Sequence, residues 1–360
     1  MKPLVRIGCS VVLSEEVDEA VHGHHISQAV ALAIEQANKT DDLPFSIEMS
    51  LGDDKADLEA AVDIAQGFIS DSTVLGVVGT MNSHTSLATA PLYHAAGLTQ
   101  ISPSASNPAL GQKQYNTFFR MVAHDLYQGQ EGARYVVRGL QASRIAVVHD
   151  GGDFTRPLAE RFVQTTETLG SSVISNCQIE PGRNDYPEAV EDLAKHKPDL
   201  IFLCLIEAEG RVLAKQLRQA GVRSLFLGTD GLKPSLYLTT PDYDVEGPYH
   251  TSASTDVYNQ ACAADFARAY RARYGELYSV YTAEAYDAAH LLIQAYARAN
   301  PLDRQTVLAE VLDTNDFSGA TGALEFDQYG ERVDPCINIY KVVDNAATFL
   351  GISGDLYEGG

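Results

Sequence analysis

Short apolar runs and longer amphipathic stretches alternate almost from one end of the chain to the other. In the first part, apolar runs at residues 4–9, 45–51, 74–78 and 98–101 read as strands, and residues 22–39, 57–69 and 83–96 carry helical periodicity. A second series follows, with helices over 128–138, 158–169, 187–195 and 208–219 and strands over 144–148, 172–177, 200–205 and 224–227. Strands that alternate with helices in this way build parallel sheets covered by helices on both faces, so the predicted class is α/β with two doubly wound units in tandem.

After about residue 250 the rhythm changes. Helical patterns follow one another over 259–274, 282–299 and 304–312, with short strands near 323–326 and 337–342. These elements have no parallel sheet of their own, so they are expected to return and complete the two earlier units. No low-complexity linker and no short repeat interrupts the chain.

Composition narrows the function classes. With 360 residues the chain is too long for one ordinary core, which fits two lobes of roughly 150 residues each. The net charge of −22, with no run of Lys and Arg, argues against nucleic acid and anionic membranes, because neutralising phosphates needs clustered cations. No stretch of 18 or more apolar residues predicts a membrane span, and residues 1–10 read as a strand rather than an export leader. Five cysteines, Cys9, Cys177, Cys204, Cys262 and Cys336, lack the spacing of a metal site; buried free thiols are one reading and a single distant disulfide the other.

Motifs for phosphate loops, dinucleotide folds, zinc proteases, nucleophile elbows and EF-hands are absent. His22, His24 and His25 cluster before a helical stretch, but neighbours on a helix point in different directions, which favours solvated or mouth-lining imidazoles over a metal site. More informative are three junctions where a strand meets a loop, since open α/β sheets bind ligands beyond the carboxyl ends of their strands. The first, Gly79-Thr80-Met81-Asn82-Ser83, leads into a helix, where hydroxyls and free N–H groups attract an anion; Ser83 reads equally as a simple helix cap. The second, residues 102–108, holds Ser102, Ser104 and Ser106 along with two prolines and reads either as a donor-rich loop or as an ordinary polar turn. The third, Gly228-Thr229-Asp230-Gly231, sets a carboxylate at the edge of the other sheet, suited to an ammonium group or to capping a turn.

Taken in order along the chain, a further set of residues carries a resemblance. Asp53-Asp54, Val78-Gly79, Pro91, Gly97-Leu98, Phe119-Arg120, His149-Asp150, Ala220-Gly221, Val245-Glu246-Gly247, Ala285-Tyr286-Asp287-Ala288, Phe326-Asp327 and Gly330 join the three junctions above. Together they make the whole chain resemble the solute-binding proteins of the leucine/isoleucine/valine-binding family, with the type I periplasmic binding fold. That family implies two lobes joined by three crossings, near residues 121–126, 248–252 and 328–333, that close like a hinge on a small ligand in the cleft between them. The implied lobes are 1–123 plus 251–330 and 124–250 plus 331–360.

By the same resemblance, Ser83 and the segment Ser104, Ala105 and Ser106 hold a ligand's α-carboxylate, and Asp230 pairs with its α-ammonium from the opposite lobe. Phe154 stands where amino-acid binders often place Tyr, Ile206 or its neighbour Glu207 near another aromatic position, and His22 at the cleft mouth. A cysteine pair that some relatives carry is missing, with Asn82 and residues 54–56 in its place. The implied role is an extracytoplasmic receptor that delivers an amino acid to an ABC permease, with no cofactor and no metal, its export leader trimmed or upstream in a longer protein. The alternatives are a sensing domain of the same fold, or a binder of an amide or aromatic acid. An enzyme using Ser83 with His84 or His149 is disfavoured, since adjacent residues cannot orient as nucleophile and base and no third orienting group is evident.

Overall fold

The computed structural model describes residues 2–17, 19–40, 42–232, 248–275, 279–344 and 346–358. The chain divides into two compact units, Met1–Ala123 with Ser254–Pro335, and His124–Ala253 with Cys336–Gly360. Chain segments therefore pass from one unit to the other three times.

In the first unit, strands β1 (Leu4–Val11), β2 (Ser46–Asp53), β3 (Val74–Gly79), β4 (Thr99–Ser102) and β5 (Phe118–Arg120) form one sheet in the order β2-β1-β3-β4-β5, parallel throughout. Helices α1 (Ala20–Lys39), α2 (Leu58–Ser70), α3 (Ser83–Ala95) and the single turn α4 (Ala109–Gln112) connect them. Every residue of β3 is buried, as expected of a central strand covered on both faces. Asp57 starts α2 by accepting from the Ala60 N–H at 2.9 Å. The expected strands recur within two residues at each end, except that β5 was not foreseen: three residues are too few to show a period.

The second unit opens with α5 (Asp125–Arg134), which begins three residues earlier than the periodicity indicates, because the His124 ring accepts from the Tyr127 N–H at 3.1 Å and caps it. Its last turn widens into a π turn at Tyr135–Gly139. Strands β6 (Arg144–His149), β7 (Ser172–Gln178), β8 (Leu200–Cys204), β9 (Leu225–Gly228) and β10 (Tyr249–Ser252) alternate with α6 (Thr155–Thr168), α7 (Pro187–His196) and α8 (Glu207–Gln219). The motif Val245-Glu246-Gly247 lies outside the described residues.

The chain then returns to the first unit as α9 (Ala264–Tyr274), α10 (Thr282–Arg298), α11 (Arg304–Leu312) and the hairpin of β11 (Phe317–Gly319) with β12 (Gly322–Leu324). It ends in the second unit with β13 (Asn338–Val343), β14 (Ala346–Ile352) and α12 (Ser353–Glu358). These late elements do complete the earlier units. The second sheet runs β14-β13-β10-β9-β8-β6-β7, parallel from β7 to β10 and antiparallel at its β10-β13-β14 edge. Among the described residues no helix is long and apolar enough to cross a membrane.

Cys9 and Cys204 are buried free thiols and Cys177 is a half-buried one, whereas Cys262 is free but exposed and Cys336 is exposed, so burial holds for only part of the set. Burial pushes the Cys9 thiol up to about 12.

Two imidazoles, His250 buried and His290 half-buried, make stability depend on pH. His250 stacks on Tyr340 with centroids 4.6 Å apart, His290 meets Tyr286 edge-on at 4.4 Å, and neither the Nδ1 of His250 nor the Nε2 of His290 finds a partner among the described residues. Burial lowers both from about 6.5 to about 4. Between those values the unfolded chain binds the protons and the folded one does not, so the contribution is complete above pH 6.5 and is lost as pH falls toward 4, by up to roughly 3 kcal/mol per ring. In urea titrations at pH 7 and pH 4.5, His250→Phe is expected to lose less stability on acidification than the parent; an equal loss would contradict this account.

Candidate ligand site

In a parallel sheet every strand-to-helix loop emerges at the carboxyl edge, which gathers the loops after β1, β3 and β4 at one end of the first unit. Gly79 closes β3 beside Ser10 of β1, where a Cβ would lie 2.2 Å from the Ser10 carbonyl oxygen, and its φ of +123° is one that L residues rarely adopt. Thr80 follows, fully buried, its hydroxyl within hydrogen-bond distance of the Ser86 hydroxyl (2.7 Å) and accepting from Thr85 (2.9 Å). Hydroxyls from the next loop then tie the two together. Ser102 donates to Thr80 O at 2.8 Å and Ser104 to Met81 O at 2.7 Å, while the Ala105 N–H donates to Ser102 Oγ at 3.0 Å.

Ser83 is not the cap of α3: that position is Asn82, whose side chain makes no capping bond. Instead Ser83 Oγ accepts the Asn107 N–H at 3.2 Å, which leaves its own proton to donate. The structure thus brings Ser83, Ser104, Ala105 and Ser106 together but gives them different work. The Ser104 hydroxyl and the Ala105 N–H are engaged inside the unit; Ser83 and the half-buried Ser106 retain donors. Behind them Asp54 is buried, accepting from Ser10 at 3.1 Å and the Ala56 N–H at 3.1 Å, and burial raises its carboxyl above the ordinary range.

His22 lies in the first turn of α1 and its Nδ1 shares a hydrogen bond with the Ser279 hydroxyl. His25 instead meets Tyr270 Oη at 2.7 Å and His24 is exposed, so the three imidazoles diverge.

In the second unit the loops after β6, β8 and β9 converge on Gly231. A Cβ there would stand 3.1 Å from the Phe154 ring and 3.2 Å from the Leu205 carbonyl oxygen. Phe154 is half-buried at the start of α6, Ile206 is exposed at the start of α8, and Asp230 is half-buried; the side chain of Glu207 lies outside the described residues. Among the described residues Asp230 reaches α5. Its Oδ1 accepts from Gln128 Nε2 at 3.0 Å, and the same nitrogen reaches Thr251 Oγ1 at 3.0 Å. Sequence reasoning missed Gln128, which sits 102 positions away on the buried face of α5. Negative charge concentrates here: the buried Cys204 thiol is pushed well up by burial and then by Asp150, Asp125 and Asp230. The loop end of the first unit is rich in donors and that of the second unit in carboxylates.

The sequence profile of the family described as periplasmic binding protein matches residues 5–347. The chain belongs to the periplasmic binding protein family. This binding protein is 25% identical over 324 residues to the Leu/Ile/Val-binding protein homolog 3 of Brucella melitensis, covering 89% of this chain and 87% of that one. It is 26% identical over 326 residues to the leucine-, isoleucine-, valine-, threonine- and alanine-binding protein of Pseudomonas aeruginosa, covering 89% and 86%. Among solved structures, a leucine-binding protein LivK from Thermotoga maritima superposes with a TM-score of 0.82 at 24% identity, over 97% of this chain and 98% of that one. The resemblance read from the sequence, a type I periplasmic binding protein of the leucine/isoleucine/valine group, therefore holds over nearly the whole binding protein.

Proposed function

We propose that this periplasmic binding protein is an extracytoplasmic receptor that takes up a free amino acid with one half-site from each unit and delivers it to an ABC permease, without chemistry of its own. The observation that carries this is the pairing of opposite polarities. Donors at Ser83, Ser106 and the first turn of α3 suit a carboxylate, and Asp230, steered by Gln128, suits an ammonium group. The ligand names of the Brucella and Pseudomonas relatives support the same class. Phe154 and Ile206 are the side-chain contacts in this reading, and His22 lines the mouth. A ligand that carries both charges stabilises the closed state by contacts that neither unit offers alone. An esterase-like role finds no support, since His84 Nε2 is engaged with Ala56 O at 2.8 Å rather than with Ser83.

A thermal-shift panel of the proteinogenic amino acids, amides and aromatic acids tests the ligand class. At 100 times Kd, binding to the folded state alone adds about 2.7 kcal/mol, worth about 4 °C for a chain of this size. A shift with one or a few amino acids is expected. A response confined to amides or aromatic acids would overturn the amino-acid reading.

A further inference from the structure

Beneath the donor loop of the first unit lies one fully buried cation. Arg120, the last residue of β5, donates from Nη1 to Ala105 O at 3.1 Å and Asn107 O at 3.0 Å. Its Nη2 pairs with Glu331 Oε1 at 2.8 Å, and its backbone N–H donates to Gly330 O at 3.0 Å. Gly111 of α4 leaves room for that carboxylate, because a Cβ there would come within 2.1 Å of Glu331 Oε1. The Ala105–Ser106 peptide is trans, so its C=O and N–H point to opposite sides of the chain. Drawing the Ala105 oxygen onto the buried guanidinium turns the Ser106 N–H the other way, and that N–H has no partner among the described residues.

We propose that Arg120 is a positioning residue for the ligand's carboxylate: it fixes the Ala105–Ser106 plane so that the Ser106 N–H meets the bound anion, with Glu331 holding the guanidinium in place. This rests on the amino-acid reading above. The planar fork of arginine serves two carbonyls and a carboxylate at once from fixed directions, and a lysine ammonium on a flexible stem does not reproduce that set.

The test compares the affinity of the best amino acid with that of its α-amide, as a ratio, in the full chain. Arg120→Lys is expected to cut the ratio about tenfold, because the amide depends less on an aligned N–H donor, whereas Val307→Ala, which weakens the buried core of the same unit, leaves it unchanged. A lowered melting temperature with an unchanged ratio would make Arg120 merely structural and overturn the proposal alone. A parent protein that binds the amide as well as the amino acid would overturn the carboxylate reading and the proposal with it. Should Arg120→Lys not fold, the Ser106 amide proton of the parent decides: a downfield NMR shift with the amino acid and none with the amide supports the alignment, and no shift with either refutes it.

Discussion

Replacing Asp230 by Asn is expected to weaken amino-acid binding by roughly 10- to 150-fold, the equivalent of about 1.5–3 kcal/mol for a hydrogen bond to a charged partner. Asn keeps the shape, and its Oδ1 still accepts from Gln128 Nε2, now at 3.0 Å from the Asp230 carboxylate, so the unliganded protein should melt at nearly the parent temperature. The substitution also removes one of the three carboxylates whose field raises the Cys204 thiol, and it adds no bulk. The deaminated analogue should lose nothing, because in the parent it leaves Asp230 without its cation. Titration calorimetry of the parent and Asp230→Asn measures both ligands; equal amino-acid affinity in the two proteins would remove the ammonium role.

Gly79→Ala is expected to cost about 3–5 kcal/mol, combining overpacking with a backbone conformation that only glycine adopts readily. The Cβ would meet a backbone oxygen 2.2 Å away, Ser10 O in the paired strand, and neither strand can yield without breaking the ladder. A fall of roughly 10 °C in melting temperature follows for a unit of this size. The comparison variant is Gly67→Ala in α2, where a Cβ meets nothing within 4 Å and helix propensity predicts a gain of about 1 kcal/mol. Thermal denaturation that ranked the two alike would refute the steric argument.

Much of the architecture is legible in the sequence because central parallel strands are buried on both faces and appear as uninterrupted apolar runs. β3 and β8 are examples, buried at every residue. β14, by contrast, is an antiparallel edge strand whose residues, apolar ones included, are exposed or half-buried, so its sequence does not mark it as a core strand. β5 and β10 are three and four residues long and gain their identity from neighbours far away in the chain. The same distinction governs the site. Strand ends announce where Ser83, Ser104 to Ser106 and Asp230 lie, since topology sends those loops to the carboxyl edge.

Which atoms are available there depends on partners from distant segments, and no local pattern reveals them. Ser104 reads as a donor in the sequence, yet its proton goes to Met81 O across the neighbouring loop. Gln128 reads as an ordinary helix residue until α5 brings it to Asp230. Arg120 belongs to the family resemblance, but its contact with Glu331 spans 211 positions.

The central claim is that one ligand is recognised by both its charges. Calorimetric titration of the responding amino acid beside its deaminated and its amidated analogue tests this most directly. Loss of either charge leaves a protein group unpaired, so each analogue should bind at least tenfold more weakly than the intact amino acid. An analogue that binds as tightly as the amino acid would contradict the account for the half-site facing the altered group: Asp230 for the deaminated one, Ser83 and Ser106 for the amide.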